Sequence, residues 1–201
     1  TRFERTQPSE GEWRYVTEDT QWHTETHDDT LRIIFRESVT AADWRDNFRF
    51  WFTQPERPYD DMPYGFRAHT GFIERYKVVR QLVHDYVREA KIKRVEVYGF
   101  SLGGAIATVC HEDLKFHEEE FDIEAETFTF AAPRVFSWRA PKELFEGLHR
   151  VYLFIDAVTR MPFFWMFFRH RAQFHYRFPG QPRRRVIRNH YHSSYRKALS
   201  S

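Results

Sequence analysis

Arg94-Val95-Glu96-Val97-Tyr98-Gly99-Phe100-Ser101-Leu102-Gly103-Gly104-Ala105 is the stretch on which the reading of this chain turns. Residues 94–98 alternate charged and apolar side chains, the period of a strand with one buried face. From 101 to 117, Leu102, Ala105, Ile106, Val109, Cys110 and Leu114 recur at helical spacing. The join is so tight that side chains at both flanks would collide, so Gly99 and Gly103 keep it open. A serine on such a turn stands above the sheet at a helix N-terminus, where the Leu102 N–H and the helix dipole meet developing negative charge. Serine alone is a weak nucleophile; it needs a base, a group orienting that base, and donors for an oxyanion. The pentapeptide by itself arises by chance in roughly one chain in fifteen of this length. The flanking strand and helix sharpen it. A turn that only packs or holds phosphate is the alternative, but the glycines match neither a dinucleotide nor a P-loop fingerprint.

Outward from this turn, Phe72, Tyr76, Val79, Val83, Tyr86 and Val87 predict an amphipathic helix over 71–90. Residues 21–26 and 31–36 flank His27-Asp28-Asp29 as a hairpin. Strands are expected at 126–131 and 150–155, separated by a helical stretch from about Pro141. Residues 174–178 and 183–188 bracket Pro179-Gly180-Gln181-Pro182 as a second hairpin, and 190–199 reads as a closing helix. Strands alternating with helices after residue 70 imply an α/β fold with a mostly parallel central sheet, the hairpins adding antiparallel neighbours at its edges. One domain over 1–201 is expected, with 1–12 peripheral.

Composition narrows the partners. Acids and bases nearly cancel to a net charge of +2, so no whole-protein field selects nucleic acid. A lone cysteine, Cys110, excludes an internal disulfide. The longest apolar run, 161–168, is too short to cross a bilayer. Without a leader-like segment the expectation is cytoplasmic, although a chain starting at Thr1 leaves room for a trimmed one. Aromatic residues supply 18% of the chain, so core volume rests largely on rings.

The acid and base of a strand-turn-helix hydrolase follow the serine in the order carboxylate, then histidine. Asp156 closes an apolar strand and reaches the sheet edge of the elbow. Asp113 lies well down the elbow helix and Asp122 in an acidic stretch, so both compete poorly. His190 and His192 both follow the last strand, and position does not separate them.

Gly99 to Ala105 resembles the nucleophile segment of the class 3 (fungal-type) lipases, a branch of the α/β-hydrolases. Ile34-Phe35-Arg36-Glu37-Ser38 with Asp43-Trp44 resembles that family's oxyanion strand and lid segment. His69-Thr70-Gly71-Phe72 is similar to the opening of its long helix. Thr129 to Val135 looks like the strand after the nucleophile helix, Phe154 to Pro162 the acid loop, and His192-Ser193-Ser194-Tyr195 the histidine segment. The resemblance implies Ser101 as nucleophile, Asp156 as acid and His192 rather than His190 as base. It also implies oxyanion donors from Leu102 and Ser38. Glu37 and Ala131 stand where the family usually has glycine, and Phe100 where histidine is commoner. Such chemistry calls for no cofactor and no metal.

Two aromatic segments flank the serine and acid. One contains Trp44, and the other, Met161 to Phe168, is apolar on every side. The candidate substrate contacts are Phe100, His69, Trp44, Phe163, Phe164 and Trp165. Arg183-Arg184-Arg185 reads as a solvated hairpin edge, or, if it lies beside the aromatic stretch, as a cluster that attracts anionic phospholipid. The expected activity is hydrolysis of lipid-like or other apolar esters through an acyl-enzyme, with transient contact at a lipid interface. An acyltransferase or thioesterase with the same triad, or a decayed lipid-binding module, is the alternative.

Overall fold

A computed structural model describes residues 14–17, 20–36, 66–89, 92–162, 166–179 and 190–200. Its centre is a seven-stranded sheet ordered β1-β2-β3-β4-β5-β7-β9. The strands are β1 (Arg14–Thr17), β2 (Thr20–His27), β3 (Thr30–Phe35), β4 (Arg94–Phe100), β5 (Glu124–Phe130), β7 (Leu148–Leu153) and β9 (Phe174–Phe178). From β3 to β9 every neighbouring pair is parallel, while β1–β2 and β2–β3 are antiparallel. The fold is thus the mostly parallel α/β-hydrolase arrangement. Short β6 (Phe136–Ser137) and β8 (Phe168–Arg169) pair antiparallel apart from it.

The first hairpin forms where expected, closed by Asp28 and Asp29 with Asp28 in the left-handed region at φ 53°. Aspartate tolerates that conformation better than most residues, because its short polar side chain can bond locally. The second hairpin differs. Its first arm, β9, runs parallel to β7 at the described edge of the sheet, and the other arm lies outside the described residues. The helix expected from Pro141 shrinks to one 3₁₀ turn, Glu143–Phe145. Gly147, at φ 80° two residues later, turns the chain into β7 and leaves no length for more.

Helix α1 (Thr70–Glu89) buries Phe72, Ile73, Tyr76, Val79, Val83 and Val87. Its Tyr86 is half-buried and meets Trp22 of β2 edge-on, 6.2 Å between ring centres. Helix α2 (Leu102–Phe116) is buried around its whole circumference from Leu102 to Leu114. It lies between the sheet and α1, so its polar residues must find partners inside. His111 meets the Thr127 hydroxyl at 2.9 Å, and the Thr108 hydroxyl donates to the Gly104 carbonyl. Asp113 accepts from Tyr76, Arg80 and His84 of α1. The chain continues with α3 (Glu118–Phe121) and ends with α4 (His192–Leu199). α4 covers a second apolar cluster of Phe100, Ala131, Val151, Leu153 and Tyr195.

Candidate active site

The elbow is built by close approach. A Cβ on Gly99 would run into the Gly103 carbonyl, and one on Gly103 into the carbonyl of Phe35. Only hydrogen fits at either place, which lets the start of α2 press against the ends of β3 and β4. Ser101 between them takes φ 53° and ψ −117°, a conformation costing about 1–3 kcal/mol for a residue with a side chain. Its N–H donates to the Phe130 carbonyl at 2.8 Å, which locks the turn to β5. The Leu102 N–H belongs to the first turn of α2, whose amides have no intrahelical acceptor.

Ser101 Oγ lies 2.6 Å from Nε2 of His190. The other ring nitrogen, Nδ1, lies 2.8 Å from Asp156 Oδ2 and 3.0 Å from Oδ1. A carboxylate there requires the proton on Nδ1, so Nε2 carries the lone pair that accepts the serine proton. All three residues are buried. Asp156 is held further by the Val158 N–H at 3.0 Å and by the Tyr195 hydroxyl at 2.8 Å. Burial foremost, and next the charge of Asp156, push the Tyr195 phenol far above its ordinary range, so it stays a donor. The Leu153 N–H donates to the same hydroxyl and fixes where it points.

The geometry reverses the choice between the two histidines. His192, favoured by resemblance, opens α4 and lays its ring on Phe100, 3.7 Å between centres and 20° from parallel. Only one of the pair meets Ser101. His190, on the connection just before α4, is that one. A signal was present in the chain: His192, Tyr195 and Ala198 form an i, i+3, i+6 packing stripe, and His190 falls outside it. Tyr195 is the contributor that sequence reasoning overlooked, although it closes the quoted His192–Tyr195 segment.

The other expected residues divide. Phe100 is buried beneath His190, His192 and Tyr195, so it supports the base rather than facing solvent. His69 is fully buried, stacked on Phe72 at 4.4 Å and near Phe168. Ser38, Glu37, Trp44, Phe163, Phe164, Trp165 and Arg183 to Arg185 lie outside the described residues, as does the segment 1–12 expected to be peripheral. Ala131 takes φ 56°, a left-handed conformation at a position where the resembling family usually has glycine.

His84, Asp113 and His117 have atoms close enough to share a metal ion. The Arg80 guanidinium already occupies the middle of that group, 2.9 Å from Asp113 and 3.2 Å from Nε2 of His117. Asp113 is therefore committed to a salt-bridged network behind α2, and Asp122 pairs with Lys93 on the surface.

Comparison with known proteins agrees with this geometry. The family model for class 3 lipases matches residues 32–166. A secreted mono- and diacylglycerol lipase of Fusarium solani is 32% identical over 107 residues, 51% of this chain and 29% of that protein. The Rhizomucor miehei lipase propeptide complex superposes with a TM-score of 0.65 and 26% identity, covering 82% of this chain and 55% of that one. A mutant form of the Penicillium cyclopium MDLA protein gives 0.65 at 23% identity, covering 84% and 63%. This chain thus spans under a third of the curated relative and just over half to under two thirds of these structures. The elbow, the strand order and the matched span together identify the chain as a member of the class 3 lipase family.

Proposed function

We propose that this chain hydrolyses carboxylic esters of lipid-like alcohols through an acyl-enzyme on Ser101. The observation that carries this is the 2.6 Å contact between Ser101 Oγ and His190 Nε2, with Asp156 behind the ring. His190 takes the hydroxyl proton as Oγ attacks the ester carbonyl, and Asp156 stabilises the imidazolium that forms. The carbonyl oxygen becomes an oxyanion facing the Leu102 N–H at the start of α2. His190 then returns its proton to the leaving alcohol. Water attacks the acyl-enzyme by the same steps, releasing the acid and restoring the serine. Ser38 is proposed as the second donor; what supports it is that the end of β3 at Phe35 and Arg36 abuts Gly103 of the elbow.

Support for lipid-like substrates comes from the family and from the glycerolipid specificity in the relative's name. Among the described residues no helix is long and apolar enough to cross a membrane. Ser101→Ala should abolish turnover of p-nitrophenyl esters and labelling by a fluorophosphonate. Persisting labelling in that variant would overturn the nucleophile. An ester chain-length series measured below and above substrate solubility separates a lipase, with a rate jump at the interface, from an esterase that saturates smoothly.

A further inference from the structure

The near-zero net charge hides a strong division along the chain. Residues 1–130 carry 17 Lys and Arg against 26 Asp and Glu, and residues 131–201 carry 14 against 3. Of those three acids, Asp156 is buried and bonded to His190, which leaves only Glu143 and Glu146. The same region exposes most of the large apolar side chains described as open to solvent, among them Trp138, Phe154, Phe167, Phe174, Tyr176 and Tyr191. Cations and bare rings therefore share one stretch of the chain, whereas ordinary solvated surfaces mix signs and scatter rings.

The two features meet beside the triad. Phe154 directly follows β7, two residues before Asp156, and is 48% exposed. Its N–H donates to the Phe178 carbonyl, which ties it to the carboxyl end of β9. The guanidiniums of Arg160 and Arg177 lie over its ring at 5.2 and 5.1 Å. Arg160 also donates to the Phe154 carbonyl at 2.8 Å. Neither guanidinium has a carboxylate partner among the described residues. Tyr191, next to the base His190, is 58% exposed. An apolar ring between two unpaired cations suits the boundary between headgroups and acyl chains: the ring dips in and the guanidiniums meet phosphate oxygens.

From this we infer that Phe154, Arg160 and Arg177 form a docking surface for anionic lipid at the carboxyl edge of the sheet, bringing the Ser101 site to negatively charged membranes. The inference rests on the lipid-ester reading above and deepens it: the headgroup surface selected is anionic. A soluble polyacid could satisfy the cations but would leave the exposed rings in water, so lipid is the better fit to both features.

The test is co-sedimentation of the full chain with vesicles of phosphatidylcholine alone and of phosphatidylcholine mixed with phosphatidylglycerol, at low and high salt. Binding is expected only with phosphatidylglycerol and should fall as salt rises. Arg160→Gln with Arg177→Gln should weaken it about tenfold or more, at roughly one kcal/mol per cation near the surface. Hydrolysis of a water-soluble short-chain p-nitrophenyl ester should stay unchanged. The Arg177 side chain makes no hydrogen bond or ion pair among the described residues, so Arg177→Gln alone keeps the test intact if losing the Arg160 bond disturbs the loop. Equal binding to both vesicle types, or native binding by both variants, overturns the proposal. So does heparin binding as tight as vesicle binding, which would mark a general polyanion surface. Failure to hydrolyse the soluble ester refutes the catalytic reading separately, because vesicle binding does not need the triad.

Discussion

Ser101 is convincing as a nucleophile less for its pentapeptide than for what its strained backbone is held against. The turn is bonded to β5 through the Phe130 carbonyl, and its hydroxyl already faces His190. The meeting places of Ser101 and Asp156 were legible because each sits where a strand ends, and strand ends follow from hydrophobic pattern. The base was not, because two histidines on one short connection are separated only by which way the chain turns into α4. Tyr195 escaped notice for a related reason: an aromatic residue in a helical stripe reads as packing, and it does pack, while its hydroxyl reaches Asp156. Tyr195→Phe keeps the ring and removes one hydrogen bond to a charged group. Such a bond is worth about 1.5–3 kcal/mol, so kcat should fall about tenfold or more, with KM for a short ester little changed. Steady-state kinetics on a soluble p-nitrophenyl ester measures it.

At the level of elements, α1, α2, β4 and the first hairpin follow from period and punctuation. Their boundaries move by only a residue or two, as for α1, expected at 71–90 and found at Thr70–Glu89. What pattern alone does not disclose is that α2 is buried all round. Its sequence mixes Thr108, His111, Glu112 and Asp113 among apolar residues, which a surface helix would also do. Their burial depends on α1 lying across them, a tertiary fact. Partner direction is equally invisible. The second arm of a hairpin can be proposed from Pro-Gly punctuation, yet whether β9 runs along β7 or against it depends on how the chain returns over the sheet. The contact of Gly103 with the Phe35 carbonyl joins elbow and β3 into one unit. Gly103→Ala should therefore cost about 1–3 kcal/mol of stability, the usual range for overpacking. Activity should also fall, because Gly103 adjoins the Leu102 amide proposed as oxyanion donor. Urea unfolding and kcat on the same preparation separate the two losses.

Across the whole molecule, the buried polar layer around α2 predicts how stability responds to acid. Burial foremost pushes the His111 imidazole down to about 3, so it stays neutral in the fold while the unfolded chain takes up a proton near 6.5. Unfolded chains then bind more protons between those values, and stability drains by roughly 1.4 kcal/mol for each pH unit below 6.5. Asp113 adds a later loss. Burial pushes its carboxyl up, but the hydrogen bonds and charges of His84 and Arg80 outweigh this and hold it below the usual range. Its contribution is present above the ordinary carboxylate pKa and disappears as pH falls through the lowered one. Thermal midpoints should therefore fall steadily below pH 6.5, and His111→Gln should make that first limb shallower, with His170, pushed down chiefly by burial as well, supplying the remainder. A native profile level down to pH 4 would contradict the assignment of His111 as buried and neutral.

The central claim is that His190, and not His192, activates Ser101, and one comparison tests it most directly. Native protein, His190→Ala and His192→Ala are each reacted with a fluorophosphonate, and p-nitrophenyl butyrate turnover is measured alongside. His190→Ala should lose both by about ten-thousandfold, the scale set by removing a triad base. His192→Ala, which removes the ring stacked on Phe100, should stay within about tenfold of native, a cost of under 1.4 kcal/mol on the barrier. Labelling abolished by His192→Ala and retained by His190→Ala would contradict the account.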